Sequence, residues 1–306
     1  MSASRQRLSE GRWHFQHGPM DLVIGADPLG PAGQGALDEA HEHAWARFVP
    51  LLSELMAEWA LLRLPVQAGR PCPLQGAVAR RMWQACLPWA AQHFITPMAA
   101  VAGSVAQELI RSYDRPGVAR AWVNNGGDIA LHLTPRQSAR VGLFADLARL
   151  QAHECMQGLN LDGAFDVAHT MPVRGVATSG WRGRSFSFGI ADSVTVLAAT
   201  AAQADAAASI IANAVNVEHV GIVRQPAQSL RDLTDLGDLA VTVDVPHLPV
   251  ERVQQALEAG LQCARECQAE GWIAGAVLVC QGQSLILPLP SKTASDSFRD
   301  EGLALA

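Results

Sequence analysis

The sequence holds no C-x-x-C pair. Its six cysteines, at positions 72, 86, 155, 263, 267 and 280, are scattered and lack any matching histidine spacing. A zinc site or disulfide framework is disfavoured, and Cys263 and Cys267, four apart on a predicted helix, read as two small core thiols. Nor is there a run of the roughly 20 apolar residues that a membrane span requires. The longest small and apolar stretch, Pro97 to Ala106, is interrupted by Ser104 and closed by Gln107 and Glu108, and is expected to be a buried helix. Charge is sparse: charged residues make up 17%, the net charge is -6, and the 23 Lys and Arg are dispersed, leaving no basic footprint for nucleic acid. Met1 to Gly11 is polar, without the apolar core and cleavage site of a secretory signal, so a soluble cytoplasmic protein is expected. No G-x-G-x-x-G, P-loop, G-x-S-x-G or H-E-x-x-H occurs, and no repeat of 20 to 50 residues. A doubly wound nucleotide fold, a serine hydrolase and a zinc protease therefore have no support.

What is present is apolar residue in quantity, 49% of 306 residues, enough for one large core or two lobes sharing one without a metal or disulfide staple. An α+β fold is expected, as a single domain over residues 1–290 with a loose polar tail over 291–306. Trp13–Gln16 and Asp21–Ile24 flank His17-Gly18-Pro19-Met20 as a hairpin. Helical periodicity runs from Leu37 to about Leu62, with Pro50 expected to kink or divide it, and again from Leu74 to about Phe94. Thr96 and Pro97 suit the cap and first turn of a helix reaching Arg111. Ala99, Ala100, Ala102, Gly103 and Ala106 give that helix a face almost without bulk, from which close backbone approach and a homodimer near the pocket are expected. Strands are expected at Ala119–Val123 and Ile129–Leu133 around an Asn-Asn-Gly-Gly turn, then near 140–145, 173–177 and 193–198. Thr200 caps a helix from Ala201 to about Val215, and Leu239–Val245, a helix over Pro249–Glu270, Ile273–Cys280 and Ser284–Leu287 close the chain as β-α-β-β.

Three segments carry candidate chemistry. On the predicted helix from Ala201, Asp205, Ser209 and Asn213 recur at i, i+4, i+8 and so share one stripe. A carboxylate with a hydroxyl one turn on supplies hard oxygen ligands of the kind Mg²⁺ takes. The alternatives are a solvated stripe, or Ser209 bonding back to the carbonyl of residue 205. In Asn124-Asn125-Gly126-Gly127-Asp128, adjacent glycines leave backbone N–H groups for a ligand and Asp128 offers an acceptor, although Asn-Gly between apolar runs is equally a plain hairpin turn. The segment 177–192 is dense in Ser and Gly and carries Arg182 and Arg184, which suit a phosphate; an ordinary surface loop is the alternative. His41 and His43, two apart on a helix, point to different faces and are expected to be solvated.

Five segments in order, Thr96-Pro-Met-Ala-Ala-Val-Ala-Gly-Ser-Val-Ala106, Val123-Asn-Asn-Gly-Gly-Asp-Ile129, Thr178-Ser-Gly180, Gly189-Ile-Ala-Asp-Ser-Val-Thr195 and Ala204-Asp-Ala-Ala-Ala-Ser209, resemble the ApbE superfamily of FAD:protein FMN transferases. The closest likeness is to an uncharacterised branch with PMAAVAG and NGGDI signatures. The resemblance spans about 95 to 217, and Leu239 to Pro288 more loosely. It implies a T-fold-like arrangement of mixed sheets with packed helices. It also implies FAD or FMN held by Asn125, Gly126, Gly127, Asp128, Thr178, Ser179, Gly180 and Arg184, with Mg²⁺ on Asp205 and Ser209 and Asp205 as the catalytic group. The activity implied is FMN transfer to a protein Thr or Ser with release of AMP, or hydrolysis of FAD. Two rivals stand beside it, a non-catalytic binding or scaffold protein of the same fold and an enzyme acting on a pterin-like ring. The chain departs from the transferases where they carry Lys-Gly, here Gly103-Ser104, and a His-containing Asp-Pro-x-x-Gly segment, here Ser187-Phe-Gly-Ile-Ala-Asp192. Relative to its own branch it has Arg184 in place of a His and Ile190 in place of a Lys.

Overall fold

The computed structural model describes residues 2–143 and 163–290. Cys155 and the expected tail from residue 291 lie outside them. The chain begins with strands β1 (Ser4–Arg7), β2 (Trp13–His17) and β3 (Met20–Pro28), followed by helices α1 (Gln34–Ala57), α2 (Trp59–Leu62), α3 (Ala77–Cys86) and α4 (Val101–Ile110). Five strands come next, β4 (Val118–Asn125), β5 (Asp128–Leu133), β6 (Ser138–Leu143), β7 (Gly163–Ala168) and β8 (Gly175–Ser179). Then follow β9 (Ser193–Ala198), α5 (Ala201–Ala214), β10 (Val223–Pro226), α6 (Ala227–Leu230), β11 (Ala240–Asp244), α7 (Val250–Ala269), β12 (Gly275–Cys280) and β13 (Gln283–Leu287). Nine strands form one sheet in the order β1-β2-β3-β4-β5-β8-β9-β12-β13, while β6-β7 and β10-β11 are separate ribbons.

Side chains alternate across this sheet because strand residues point to opposite faces in turn. One face, with Phe15, Leu22, Ile24, Val123, Ala130, Ala177, Val194 and Val196, shares a core with α1, α3, α4, α5 and α7. The other, with Leu131, Leu133, Val176 and Leu197, packs on Val141 and Val167 of the β6-β7 ribbon. Among the described residues no helix is long and apolar enough to cross a membrane.

The hairpin at Gly18-Pro19 forms as the sequence indicates, pairing His17 with Met20. Pro50 does not divide α1. Phe48 and Leu51 beside it are fully buried, and that packing outweighs one missing helix hydrogen bond. The break falls at Glu58 (φ -110°, ψ 14°), whose carboxylate accepts from Gln75 N at 2.6 Å and Gly76 N at 2.7 Å just ahead of α3. The third helix is also divided: Thr96 accepts from Met98 N at 3.2 Å, but Pro97–Ala100 form a 3-10 turn and Ala100 (φ -128°) separates it from α4. His41 corrects the expectation of a solvated ring. It is buried, its Nδ1 lies 2.8 Å from the Tyr113 hydroxyl, and its ring packs on Trp13, whereas His43 is exposed beside Arg115.

The cap of α5 behaves as its sequence indicates. Thr200 Oγ1 accepts from Gln203 N at 3.3 Å and donates to Gln203 Oε1 at 3.0 Å, which holds the capping hydroxyl in place. Thr200→Ala is expected to lower stability by about 1 kcal/mol, seen as a reduced urea midpoint at unchanged slope.

Candidate functional site

The helix α5 is almost all alanine on the sides that meet the sheet, α4 and α7, and Ala201, Ala204, Ala206, Ala207 and Ile211 are fully buried. Asp205, Ser209 and Asn213 are its partly exposed stripe, so the stripe faces neither bulk solvent nor the apolar core. Small side chains let α4 come close enough for the Gly103 backbone N–H to donate to Asp205 Oδ2 at 2.8 Å. Among the described residues Ser209 forms no hydrogen bond back to the carbonyl of Asp205. Asn213 is engaged elsewhere: its Oδ1 accepts from Ser187 Oγ at 3.0 Å and Phe188 N at 2.8 Å, fixing the start of the 187–192 segment.

The Asn125–Asp128 segment is a two-residue hairpin turn, with φ of 69° at Gly126 and 115° at Gly127, which only glycine adopts freely in succession. Its backbone is less available than the sequence indicates, because Gly127 N donates to Asn124 Oδ1 at 2.9 Å. Asn125, buried on the helix side of the sheet, donates through Nδ2 to Ala102 O at 3.1 Å. Asp128, its cross-strand partner, accepts from Thr178 N at 3.3 Å and lies close enough to Asp205 for the two charges to act on each other. The turn and the helix thus meet at the first turn of α4.

That meeting leaves two carboxylates partly withdrawn from water and near enough for the charge of Asp128 to act on Asp205. Burial pushes Asp128 up to about 7, opposed by the Thr178 N–H. Burial, and then the Asp128 charge, push Asp205 well above the usual carboxylate range; the N–H groups of Gly103 and Ala102 offset only part of this. Hard oxygen donors under mutual repulsion suit either a shared proton or a divalent cation, so the residues present fit Mg²⁺ with further ligands from water or phosphate. Among the described residues no group of three or more His, Cys, Asp or Glu side chains gathers that could hold a metal by itself.

The 177–192 segment is brought in unevenly. Arg184 lies over the turn, its Nη1 3.0 Å from where a Cβ on Gly126 would stand, and its Nη2 is 4.0 Å from Asp21. Thr178 points its side chain to the far face of the sheet, where its Oγ1 is 2.9 Å from Thr195 Oγ1; only its N–H reaches Asp128. Ser179, next along the strand, projects to the helix side. Gly180 packs its Cα against the Asp192 carbonyl, where a Cβ would stand 2.3 Å from the oxygen, so its backbone is enclosed. Arg182 stacks over Trp181 at 4.7 Å. Ile190 is fully buried.

Two further residues join the site without a local sequence signal. The Thr96 hydroxyl donates to Asp235 Oδ2, and the buried Cys86 thiol is pushed up by burial and by the charges of Asp205 and Asp235. Asp235 therefore adds negative charge beside the pocket from a loop remote in sequence.

A family model described as "AbpE bacteria" matches residues 5–286. The chain is similar to the UPF0280 protein of Methanospirillum hungatei, 36% identical over 124 residues, covering 40% of this chain and 46% of that one. It is 40% identical over 123 residues to the UPF0280 protein of Methanothermobacter thermautotrophicus, covering 40% and 43%. The UPF0280 protein of Methanococcoides burtonii is 31% identical over 179 residues, covering 58% and 69%. The chain spans less than half the length of the first two relatives. Two solved structures are similar at 12% identity: the ApbE protein of Thermotoga maritima (TM-score 0.37, covering 92% of this chain and 96% of that one) and the flavin transferase ApbE of Vibrio cholerae (TM-score 0.32, covering 93% and 97%).

Proposed function

Since the chain belongs to the AbpE bacteria family, we propose that it binds a flavin nucleotide, FAD or FMN, with Mg²⁺, in the pocket formed by Asn125–Asp128, the first turn of α4 and Asp205. The observation that carries this is the junction at the first turn of α4, where the Gly103 N–H donates to Asp205 Oδ2 and the Ala102 carbonyl accepts from Asn125, the cross-strand partner of Asp128. Asp205, with Ser209 one turn on, is the proposed cation ligand, and Asp128 lies across from it. A bound cation supplies neutralisation of pyrophosphate charge. The chain's own residues do the rest. Asn125 holds the turn against the Ala102 carbonyl, Arg184 brings a guanidinium over Gly126 to face a phosphate, and Ser179 lies on the helix side of β8. With FAD bound, attack of an acceptor hydroxyl on the FMN phosphorus would form one P–O bond while the pyrophosphate P–O bond breaks, AMP leaves and the hydroxyl proton passes to solvent; with water as acceptor the products would be FMN and AMP.

A second reading, binding without turnover, is favoured by Gly103-Ser104 and Ser187–Asp192 standing where the transferases carry Lys-Gly and His-Asp-Pro elements. The two separate in one experiment, in which purified protein is incubated with FAD and Mg²⁺ while bound flavin is followed by fluorescence and AMP by chromatography. Mg²⁺-dependent binding is expected in either case, and AMP release only for transfer or hydrolysis. Asp205→Asn is expected to weaken Mg²⁺-dependent binding on the order of 100-fold. Folded protein that neither binds nor turns over FAD would overturn the proposal, as would an Asp205→Asn protein that binds flavin as tightly as the parent.

A further inference from the structure

Beyond the carboxylate pair, an open groove of about 310 Å³ runs over Phe94, Phe188 and Leu239, with Asn216, Glu218 and Arg224 along its polar side. Phe94 is 39% exposed and Leu239 38%. Large apolar side chains left in contact with water around a concavity mark ligand sites more often than plain surface.

The polar side is already oriented. Asn216 Oδ1 accepts from Val217 N at 2.9 Å and from Arg224 Nη2 at 2.7 Å. With its oxygen so engaged, the amide has its NH2 left to donate, and the exposed Glu218 carboxylate two residues on is an acceptor. A donor beside an acceptor, bordered by phenyl rings, complements the edge of a planar heterocycle that carries an acceptor next to an N–H. An aliphatic chain would use neither.

The groove is also tied to the pocket. Phe188 and Ser187 both hydrogen-bond Asn213, which lies two turns along α5 from Asp205, about 12 Å at 1.5 Å per residue. On the other wall, Phe94 stands two residues before Thr96, whose hydroxyl reaches Asp235. A sugar-phosphate spacer bridges such a separation.

We propose that this groove is the subsite for the heteroaromatic ring of the nucleotide whose phosphate end lies at Asp128 and Asp205. This rests on the reading of the pocket given above. The ring is the isoalloxazine or the adenine, which share the edge chemistry, and the test distinguishes them. FMN and AMP are titrated separately, each with Mg²⁺, into the parent, a Phe94→Ala/Phe188→Ala double variant and Glu218→Ala. Loss of ring stacking is expected to weaken one of the two ligands about 10-fold or more in the double variant, leaving the other unchanged, and Glu218→Ala to weaken the same ligand less. The ligand that weakens identifies the ring. Should the double variant fail a circular-dichroism and melting check, Phe94→Glu alone, at its exposed position, gives the same comparison. Parent-like affinity for both ligands in a folded groove variant overturns the subsite and leaves the pocket standing. A parent protein that binds neither FMN nor AMP overturns both.

Discussion

A Gly103→Ala protein is expected to lose about 3 kcal/mol or more of unfolding free energy, and the shape of the pocket with it. Gly103 lies where α4 crosses α5. A Cβ added there would stand 2.3 Å from the Ala201 carbonyl oxygen, 2.7 Å from its carbon and 2.9 Å from Asp205 Cβ. The first two are backbone atoms, so no change of rotamer relieves the overlap and the helices must move apart. Separation strips contacts from the fully buried Ala201, Val105 and Ala106 without letting water in. The same movement draws the Gly103 N–H away from Asp205 and the Ala102 carbonyl away from Asn125, both of which sit at hydrogen-bond distance only because the backbones touch. Urea unfolding at fixed pH measures the loss, and flavin binding measures the pocket. Ser104→Ala is the control one residue on: its hydroxyl is fully buried without a hydrogen-bond partner among the described residues, so its removal is expected to leave the midpoint unchanged or slightly raised. A Gly103→Ala midpoint within the error of the parent would show that the close approach of α4 and α5 is not needed.

The elements that local chemistry specifies were legible in the sequence. Thr200 caps α5 because its hydroxyl acts three residues away, and Asn125-Gly126-Gly127-Asp128 turns because two adjacent glycines take positive φ. What depends on distant partners was not. β1 consists of four exposed residues, Ser4 to Arg7, with no apolar alternation, and becomes a strand only by pairing with β2. β7 was missed as well; it forms by pairing with β6 as a ribbon. The end of α1 depends on Gln75 and Gly76, which claim the Glu58 carboxylate. In the site, parity along β8 already separates Thr178 from Ser179, but nothing local says which face the helices cover, so the sequence alone does not say that Thr178 meets Asp128 through its N–H. Neither the turn nor the α5 stripe indicates that the two elements belong to one pocket. That link came from the ordered resemblance, and the small residues of α4 are its physical cause. Asp235 had no such signal, since it meets Thr96 across a wide gap in sequence.

The contribution of Asp128 to the stability of the ligand-free protein is expected to fall as pH rises from about 4 to about 7, the reverse of the usual carboxylate behaviour and opposite in sign to that of His41, which burial lowers to about 4. In the unfolded chain Asp128 releases its proton near 3.8, whereas burial in the folded protein holds that proton up to about 7. Between these values the folded state binds a proton that the unfolded state has lost, so raising the pH favours unfolding. Burial and the Asp128 charge act on Asp205 in the same direction. For Asp128 alone the full span corresponds to about 4 kcal/mol, and its partial exposure reduces this to about 2 kcal/mol or somewhat more. Asp128→Asn, neutral throughout and still able to accept from the Thr178 N–H, is expected to remove the part of the slope that Asp128 carries, and Asp205→Asn the part that Asp205 carries. Mg²⁺ competes with the proton for the same oxygens. Its stabilising effect is therefore expected to be small near pH 5 and to grow as pH rises through about 7, where Asp128 loses its proton in the folded protein. Calorimetric melting of the three proteins from pH 4 to pH 8, with and without Mg²⁺, measures all of this. Asn variants that keep the parent's slope would show that burial does not hold protons on the two carboxylates.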